Sequence, residues 1–388
     1  MKWIFWSSVA LIAYTYAGYM GWLWLRSLWR ARLVRRAHYS PSVSIMMVVR
    51  NEEQVLEQKL QNLLALDYPT ENVQLIIVSD GSTDGSEAVL RTHAENPRIT
   101  GVLNQLPRGK ASGLNDAVQL AQGDIVVFTD ARQKIELDAV RLLLENFADP
   151  EVGCVSGELM LGDPASGETT AGMGLYWKIE KKVRELESAS GSVVGATGAL
   201  YAVRRELLVR VPAETILDDV YIPMHVARQG SRVVFDPRAR AWDLPGQGRE
   251  REFSRKVRTL SGNYQLLQLA PWLLGRENPL RFEFISHKLL RLVAAFALLG
   301  VLVSSMFLHG AIYRDTLILQ IGFYSLSLLG LLQIRLGPLT RITDAAFTFV
   351  ALNLAALFAS ANFITGRRSV WEPVRPISMA TRSGQEVK

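Results

Sequence analysis

The chain has 388 residues, with 43 lysines and arginines against 37 aspartates and glutamates, and a formal net charge of +6 at pH 7. This length allows one sizeable domain plus additional elements. The single cysteine, Cys154, excludes an intramolecular disulfide framework and a cysteine-based metal site. The positive surplus does not indicate a nucleic-acid partner, because much of it flanks apolar segments and the sequence contains no nucleic-acid-binding motif.

Four apolar segments predict membrane-spanning helices. The first, Trp3–Leu25, carries no charged residue and is long enough to cross a bilayer as one helix. Three others lie near the C-terminus, at Leu292–Leu308, Thr316–Ile334 and Ala345–Gly366. Because basic residues flank the last of these segments at both ends, the topology of the C-terminal helices stays open.

The residues around the first apolar segment predict its orientation. Only Lys2 precedes the segment and no A-x-A cleavage site follows it, so we expect a retained helix rather than a signal peptide. Five arginines follow it, and the positive-inside rule then predicts an external N-terminus and a cytoplasmic domain. We expect these arginines to face anionic lipid headgroups. They are Arg26, Arg30, Arg32, Arg35 and Arg36.

The region from Pro41 to Arg281 carries charges throughout and alternates short apolar runs with helical patterns, which is typical of βαβ units. The predicted strands are Val43–Val49, Gln74–Val78, Ile99–Leu103 and Ile125–Thr129. The predicted helices are Glu53–Leu66, Ser86–Glu95, Ala111–Ala121 and Leu137–Phe147. This alternation predicts an α/β domain with a mainly parallel sheet flanked by helices.

The pattern becomes less regular after Val155. Gly162–Gly174 is rich in glycine, serine and threonine and predicts a loop. Leu175–Leu186 predicts an amphipathic helix that joins domains or faces the membrane. Gly246–Gln268 is polar and basic and leads towards the C-terminal apolar segments.

A small acidic turn after the second predicted strand is the first sign of a binding site. In an open α/β sheet, ligands bind outside the carboxyl ends of the strands. Asp80 could therefore accept a hydrogen bond from a base or a ribose hydroxyl, while Gly81 lets the backbone come close. The turn lacks the G-x-G-x-x-G and Walker lysine patterns, so it is not the usual dinucleotide or P-loop device. We expect Asp84 to cap the helix that follows.

Five motifs follow one another between Val43 and Tyr264. They are Val48–Glu52 (VVRNE), Ser79–Asp84 (SDGSTD), Arg108–Asn115 (RGKASGLN), Phe128–Gln133 (FTDARQ) and Thr215–Asp219 (TILDD). In order, spacing and strand context they resemble the motifs of processive, membrane-embedded family 2 glycosyltransferases, which include cellulose, chitin, hyaluronan and poly-N-acetylglucosamine synthases. The resemblance implies a GT-A-like, Rossmann-like α/β fold with additional transmembrane helices.

The first two motifs resemble the part of the family site that receives the nucleotide. The resemblance implies that Asn51 and Glu52 bind the donor, although the proline of the family's P-x-x-N-E turn is absent here. It further implies that Asp80 contacts the uracil or ribose, although Ser79 replaces the leading aspartate of D-D-G-S-T-D.

The next two motifs resemble the part of the family site that binds the diphosphate. Lys110, beside a glycine at a helix start, offers a positive charge to a diphosphate. The fourth motif occupies the place of D-x-D and retains Asp130, but Arg132 replaces its second acid. Arg132 could itself neutralise the diphosphate without a metal, or Asp130 could hold the ion together with phosphates and waters. We expect a bound Mg²⁺ or Mn²⁺ with Asp130 as its ligand.

The fifth motif resembles T-E-D, whose last acid is the catalytic base of the family. By matched position this residue is Asp219, with Asp218 beside it as an acceptor contact. Upstream, Gly195–Ala199 resembles the loop that meets the acceptor sugar, which implies acceptor contacts for Thr197 and Gly198.

A basic stretch downstream, Arg255–Thr259, occupies the place of Q-(Q/R)-x-R-W in the family. Arg258 is retained, and the resemblance implies that it clamps the departing diphosphate. The tryptophan that stacks on the acceptor sugar in the family is replaced by Thr259, which puts acceptor handling in doubt.

We therefore expect an inverting transfer of a hexose from a UDP-sugar to a growing polysaccharide or lipid-linked acceptor. The reaction is expected at the cytoplasmic face of a bacterial inner or plasma membrane, with membrane lipids and polysaccharide-export proteins as partners. Two alternatives stay open: a single addition to a lipid-linked acceptor, and an inactive scaffold of a polysaccharide-secretion complex.

The expected domain organisation has five parts. They are an N-terminal transmembrane helix with its basic flank (1–36), a cytoplasmic GT-A domain (41–250), an interfacial segment (251–283), C-terminal transmembrane helices (284–370) and a polar tail (371–388).

Overall fold

The computed structural model describes residues 1–163, 168–169, 175–243, 249–334 and 337–366. Most of the loop predicted at Gly162–Gly174, and the polar tail predicted at 371–388, lie outside these ranges.

The strands are β1 Val43–Val49, β2 Val73–Asp80, β3 Ile99–Asn104, β4 Ile125–Thr129, β5 Lys134–Ile135, β6 Val152–Asp163, β7 Glu168–Thr169, β8 Leu200–Arg204 and β9 Arg232–Asp243.

The α-helices alternate with these strands and extend beyond them at both ends of the chain. They are α1 Lys2–Ala13, α2 Tyr19–Trp29, α3 Glu53–Leu64, α4 Ser86–Thr92, α5 Lys110–Leu120, α6 Ala139–Glu145, α7 Leu175–Ser190, α8 Asp218–Arg228, α9 Arg249–Leu269, α10 Arg281–Glu283, α11 Leu290–Phe307, α12 Ala311–Leu331 and α13 Thr340–Ile364. Two π-helical turns, Tyr14–Gly18 and Phe284–Leu289, interrupt the apolar helices.

The strands form one mixed sheet in the order β3-β2-β1-β4-β8-β6-β9-β5, with β7 paired to β6. Its first half, β3-β2-β1-β4, is parallel, as the βαβ pattern predicts. In the second half β8 runs antiparallel to both β4 and β6, and β9 runs parallel to β6. The sequence did not predict these antiparallel pairings, because an apolar run carries no sign of strand direction.

Strand β1 lies at the centre of the domain and is buried on both faces, as its continuous apolar run predicts. Ile45 and Met47 point to the side where Leu60 of α3 packs. Met46, between them, points to the opposite side, where Leu114 of α5 packs. These two cores fix the carboxyl ends of the parallel strands at one edge of the sheet, where the motif residues collect.

Among the described residues, two helices are long and apolar enough to cross a membrane by length and composition, Arg281–Phe307 and Thr340–Ile364. The other two predicted spans are also helical: α1, a π-helical turn and α2 cover Trp3–Leu25, and α12 covers most of Thr316–Ile334. Helix α1 packs along α11, with Phe5 buried against Val301.

The segment between α2 and β1 corrects one expectation from the sequence. Three of its arginines, predicted to face lipid headgroups, lie against acidic residues of the α/β domain instead, because the chain runs along the side of that domain. Arg32 lies 2.7 Å from Glu151, Arg35 lies 3.7 Å from Asp149, and Arg36 lies 3.5 Å from the buried Asp236. This segment therefore ties the first apolar helix to the domain.

Candidate active site

A cavity of about 1110 Å³ opens at the carboxyl ends of β1 and β4. Helix α9 and the last residues of α13 form the wall opposite the sheet. Eight of the residues singled out from the sequence line this cavity: Glu52, Lys110, Asp130, Arg132, Gly198, Asp218, Asp219 and Arg258. The fold therefore brings together side chains that are more than 200 positions apart in the chain.

Asp80 lies behind the cavity wall and holds one of its loops in place. Its carboxylate is fully buried and accepts hydrogen bonds from the backbone N–H groups of Arg108 (2.7 Å) and Gly109 (2.8 Å). Gly81, in the left-handed region with φ +61°, allows this close approach, because a Cβ there would lie 2.6 Å from the nitrogen of Pro107. Asp80 thus holds the loop that presents Lys110, and its direct contact with a nucleotide stays a prediction.

Asn51 also stabilises a loop beside the cavity. It adopts a positive φ of 56°, and its side-chain oxygen accepts a hydrogen bond from the backbone N–H of Thr83 at 2.7 Å. Asp84, in the same turn, accepts from the backbone N–H of Ser86 (3.0 Å), the first residue of α4, and of Glu53 (3.1 Å), the first residue of α3. Asp84 thus accepts from the first N–H groups of two helices, although the N-cap residue of α4 is Gly85 and not Asp84 as predicted.

Lys110 links the two acidic parts of the cavity. Its Nζ lies 2.9 Å from Oδ1 of Asp130 and 3.4 Å from Oδ1 of Asp218. Burial by itself would lower the pKa of Lys110, but these carboxylates outweigh burial and raise it, so the ammonium stays charged. Asp218 is buried, and its Oδ2 has no hydrogen-bond partner among the described residues.

Asp219 sits in the first turn of α8 and faces the loop predicted to meet the acceptor. Its Oδ2 accepts a hydrogen bond from the backbone N–H of Gly198 at 3.2 Å, and its backbone carbonyl accepts one from the backbone N–H of Ala196 at 2.6 Å. Burial, reinforced by the charge of Asp218 and opposed by Lys110, raises the pKa of Asp219 to about 6. A carboxylate with such a pKa can take up a proton near neutral pH.

Thr197 lies next to Gly198 but supports the loop from behind. Its backbone N–H donates to Oγ of Ser156 at 2.9 Å, and its own hydroxyl accepts from the guanidinium of Arg184 on α7 at 2.6 Å. These bonds fix the backbone that faces Asp219.

Residues 44–211 match the family model for glycosyl transferase family 2. The chain contains a family 2 glycosyltransferase domain. The resemblance inferred from its motifs is thereby confirmed.

Curated relatives of this glycosyltransferase domain include two bacterial synthases. The poly-β-1,6-N-acetyl-D-glucosamine synthase of Staphylococcus aureus strain COL is 26% identical over 229 residues, which cover 58% of this chain and 55% of the relative. The synthase of the same name from Staphylococcus epidermidis is 24% identical over 248 residues, which cover 63% of this chain and 60% of the relative. The chain therefore matches little more than half the length of these relatives.

A solved structure shares the fold of nearly the whole chain. It is a mannosyltransferase from Pyrobaculum calidifontis in complex with GDP-Man and Mn²⁺, with a TM-score of 0.72 and 23% sequence identity. The match covers 93% of this chain and 99% of that one. The GT-A-like arrangement with its attached apolar helices is therefore a known fold.

The D-x-D position of the glycosyltransferase domain carries an ion pair. Arg132 donates from Nη2 (2.9 Å) and Nε (3.1 Å) to Oε1 of Glu52. Among the described residues, no group of three or more histidine, cysteine, aspartate or glutamate side chains could hold a metal ion. Asp130 alone of the two D-x-D positions offers a carboxylate, and its side chain is 39% exposed.

One polar residue of the cavity, Asp243, was missed by the sequence reasoning. Asp243, the last residue of β9, accepts a hydrogen bond from Nε2 of Gln133 at 3.0 Å and lies 3.8 Å from Arg255 on α9. The rule that ligands bind at the carboxyl ends of strands could have singled out Asp243.

The cavity wall also contains an aromatic residue that the rule on strand ends could not have identified. Phe363, near the end of α13, lines the cavity and stacks on Tyr264 of α9, with ring centroids 5.1 Å apart. Its place in an apolar helix gave no sign that it would reach a site formed by residues far earlier in the chain.

Proposed function

We propose that the chain is an inverting glycosyltransferase that moves a hexose from a UDP-sugar to a growing polysaccharide or lipid-linked acceptor. One observation carries this proposal. The Asp219 carboxylate, with its raised pKa, shares a single cavity with the cations Lys110, Arg132 and Arg258. A base beside cations is the arrangement that proton removal and diphosphate departure together require.

In the proposed reaction, Asp219 takes the proton of an acceptor hydroxyl as that oxygen attacks the anomeric carbon. The diphosphate departs on the opposite face, so the configuration inverts. Lys110, Arg132 and Arg258 balance its charge, while Gly198 and Asp218 line the acceptor side. Asn51 and Asp80 support the donor side by holding its loops.

The residues fit a divalent cation only if the donor completes its coordination shell. Mg²⁺ binds proteins through one or two carboxylates together with phosphates and waters, and Asp130 would supply the one carboxylate. Lys110 and Arg132 flank this position and already neutralise part of the charge. A bound Mg²⁺ or Mn²⁺ would add electrostatic stabilisation of the leaving diphosphate.

We propose that the protein is an integral membrane protein with its catalytic domain in the cytoplasm. The two apolar helices and the external N-terminus expected from the basic flank support this topology.

A polymer product would require export, for which we expect partner proteins. The single addition to a lipid-linked acceptor has support of its own, since Phe363 of the apolar helix α13 and Gly366, just after this helix, line the cavity.

The proposal is tested with the variant Asp219→Asn in the full chain. We expect sugar transfer to fall by about 10³-fold, because a positioned general base contributes about 10²–10⁴-fold, while UDP binding persists. Radiolabelled sugar transfer from a panel of UDP-sugars, with GDP-mannose for comparison and with or without EDTA, measures activity, donor and metal dependence together.

Asp67→Asn is the matched control for this test, because Asp67 pairs with Arg141 at the surface of the domain. Wild-type transfer rates in Asp219→Asn would exclude Asp219 as the base. A wild-type chain that transfers no sugar from any donor would instead favour the inactive scaffold.

A further inference from the structure

A buried lysine lies beneath the D-x-D segment. Lys59 of α3 is 3% exposed, and it is surrounded in its helix by the core residues Leu56, Leu60 and Leu63. Its ammonium donates to two uncharged oxygens, Oγ1 of Thr129 at 2.8 Å and the carbonyl of Gln133 at 2.6 Å. Burying an ammonium costs free energy that neutral acceptors offset only in part. Burial lowers the pKa of Lys59 to about 7, and the nearby charge of Asp130 opposes this shift only in part.

The two acceptors bracket the segment that carries the cavity-facing residues. Thr129 ends β4 directly before Asp130, and Gln133 follows Arg132. Both ends of this short segment are therefore tied to one nitrogen atom. A segment held at both ends presents its side chains to the cavity in one arrangement.

Thr129 and Gln133 also form hydrogen bonds to residues in other parts of the cavity wall. The hydroxyl of Thr129, which accepts from Lys59, donates to the carbonyl of Ala199 at 2.9 Å, beside the loop that faces Asp219. The side chain of Gln133 donates to Asp243, which lies 3.8 Å from Arg255 on α9. Helix α9 also carries Arg258. Lys59 thus connects three parts of the cavity wall.

We propose that Lys59 is a positioning residue for the donor diphosphate, acting through the segment from Thr129 to Gln133. This inference rests on the proposed function, since it concerns the same donor. Lys59 lies in the core and touches no substrate. A methionine at this position would fill a similar volume among the leucines of α3 without the cost of burying a charge.

The test compares Lys59→Met with wild type in affinity for UDP and for uridine, measured by calorimetry on the purified full chain in detergent. We expect UDP affinity to fall by about tenfold or more, because the diphosphate-facing segment loses its anchor. Uridine affinity should stay unchanged, because uridine carries no phosphate. Lys134→Met is the control, because Lys134 is exposed on β5 directly after Gln133.

A second variant, Thr129→Val, keeps the shape of the side chain and removes the hydroxyl link, and it carries the test if Lys59→Met does not fold. It too should lose UDP affinity selectively. Unchanged UDP affinity in the variants, or equal losses for UDP and uridine, would overturn the inference and leave Lys59 a residue of the core alone. A wild-type chain that binds no UDP contradicts the proposed donor, and the inference falls with it.

Discussion

Asp219 shows how burial prepares a single carboxylate for acid–base chemistry. An exposed aspartate has a pKa near 3.8, too low to hold a proton at neutral pH. Burial and the neighbouring Asp218 raise the pKa of Asp219, while Lys110 limits the rise. By linkage, the folded protein binds this proton more tightly than the unfolded chain does. The group therefore costs stability as the pH rises from about 4 to about 6.

The pH dependence of the reaction follows from this pKa. We expect log kcat/KM for transfer to fall by about one unit per pH unit below pH 6, because protonated Asp219 cannot act as a base. Transfer rates measured between pH 4.5 and 8.5 at low donor concentration check this expectation. A profile that stays flat down to pH 5 would contradict the assignment of Asp219 as the base.

At the scale of elements, α7 joins the catalytic domain to the apolar helices. Its amphipathic pattern predicted a helix between domains or facing the membrane, and Val183 packs against Tyr19 of α2. His287, in the π-helical turn before α11, lies between two carboxylates of α7: Glu180 at 2.9 Å and Glu187 at 2.8 Å. The junction is therefore a buried polar network rather than a flexible tether.

Removing the central residue of this network should loosen the junction. We expect His287→Leu to lower stability by about 3 kcal/mol, because Glu187 is fully buried and loses one of its hydrogen-bond partners. Thermal unfolding in detergent, followed by circular dichroism, measures the effect. His38→Leu, a change at an exposed position before β1, serves as the control. Equal melting temperatures for the two variants would show that the network contributes little.

At the scale of the whole molecule, the cavity is completed by helices that follow the catalytic domain in the chain. The motif resemblance places Thr259 where the family has its sugar-stacking tryptophan, so the local sequence offers no aromatic side chain there. Phe363 of α13 reaches the cavity instead, and its side chain is 40% exposed. We therefore expect Phe363 to provide the apolar face on which the acceptor sugar stacks.

The variant Phe363→Ala should weaken acceptor use more than donor use. We expect KM for the acceptor to rise about tenfold, since loss of one stacking contact is worth roughly 1 kcal/mol or more. Initial rates with varied acceptor, and size analysis of the products, measure the change. Phe307→Ala is the matched control, because Phe307 is exposed at the far end of α11. An effect confined to KM for the donor would exclude a role in acceptor binding.

Much of the fold and of the cavity was predictable from local patterns. The run Val43–Val49 predicted β1 with its observed ends, because a strand buried on both faces is continuously apolar. Lys110, Asp130 and Asp219 were identified as site residues because their motifs resemble those of family 2 glycosyltransferases in order, spacing and strand context. Their shared cavity agrees with that reasoning, while their individual roles stay predictions.

Motif order indicated the glycosyltransferase family and the main charged residues of the cavity, and short-range periodicity predicted the parallel half of the sheet, because both are local properties of the sequence. The tertiary structure decided what depends on contacts between distant segments. It turned Asp80 into a support of the Lys110 loop, paired Arg132 with Glu52, and brought Phe363 to the cavity. Each of these contacts joins residues that are far apart in the chain. No local sequence pattern specifies such a pair, because it depends on how distant segments pack against one another.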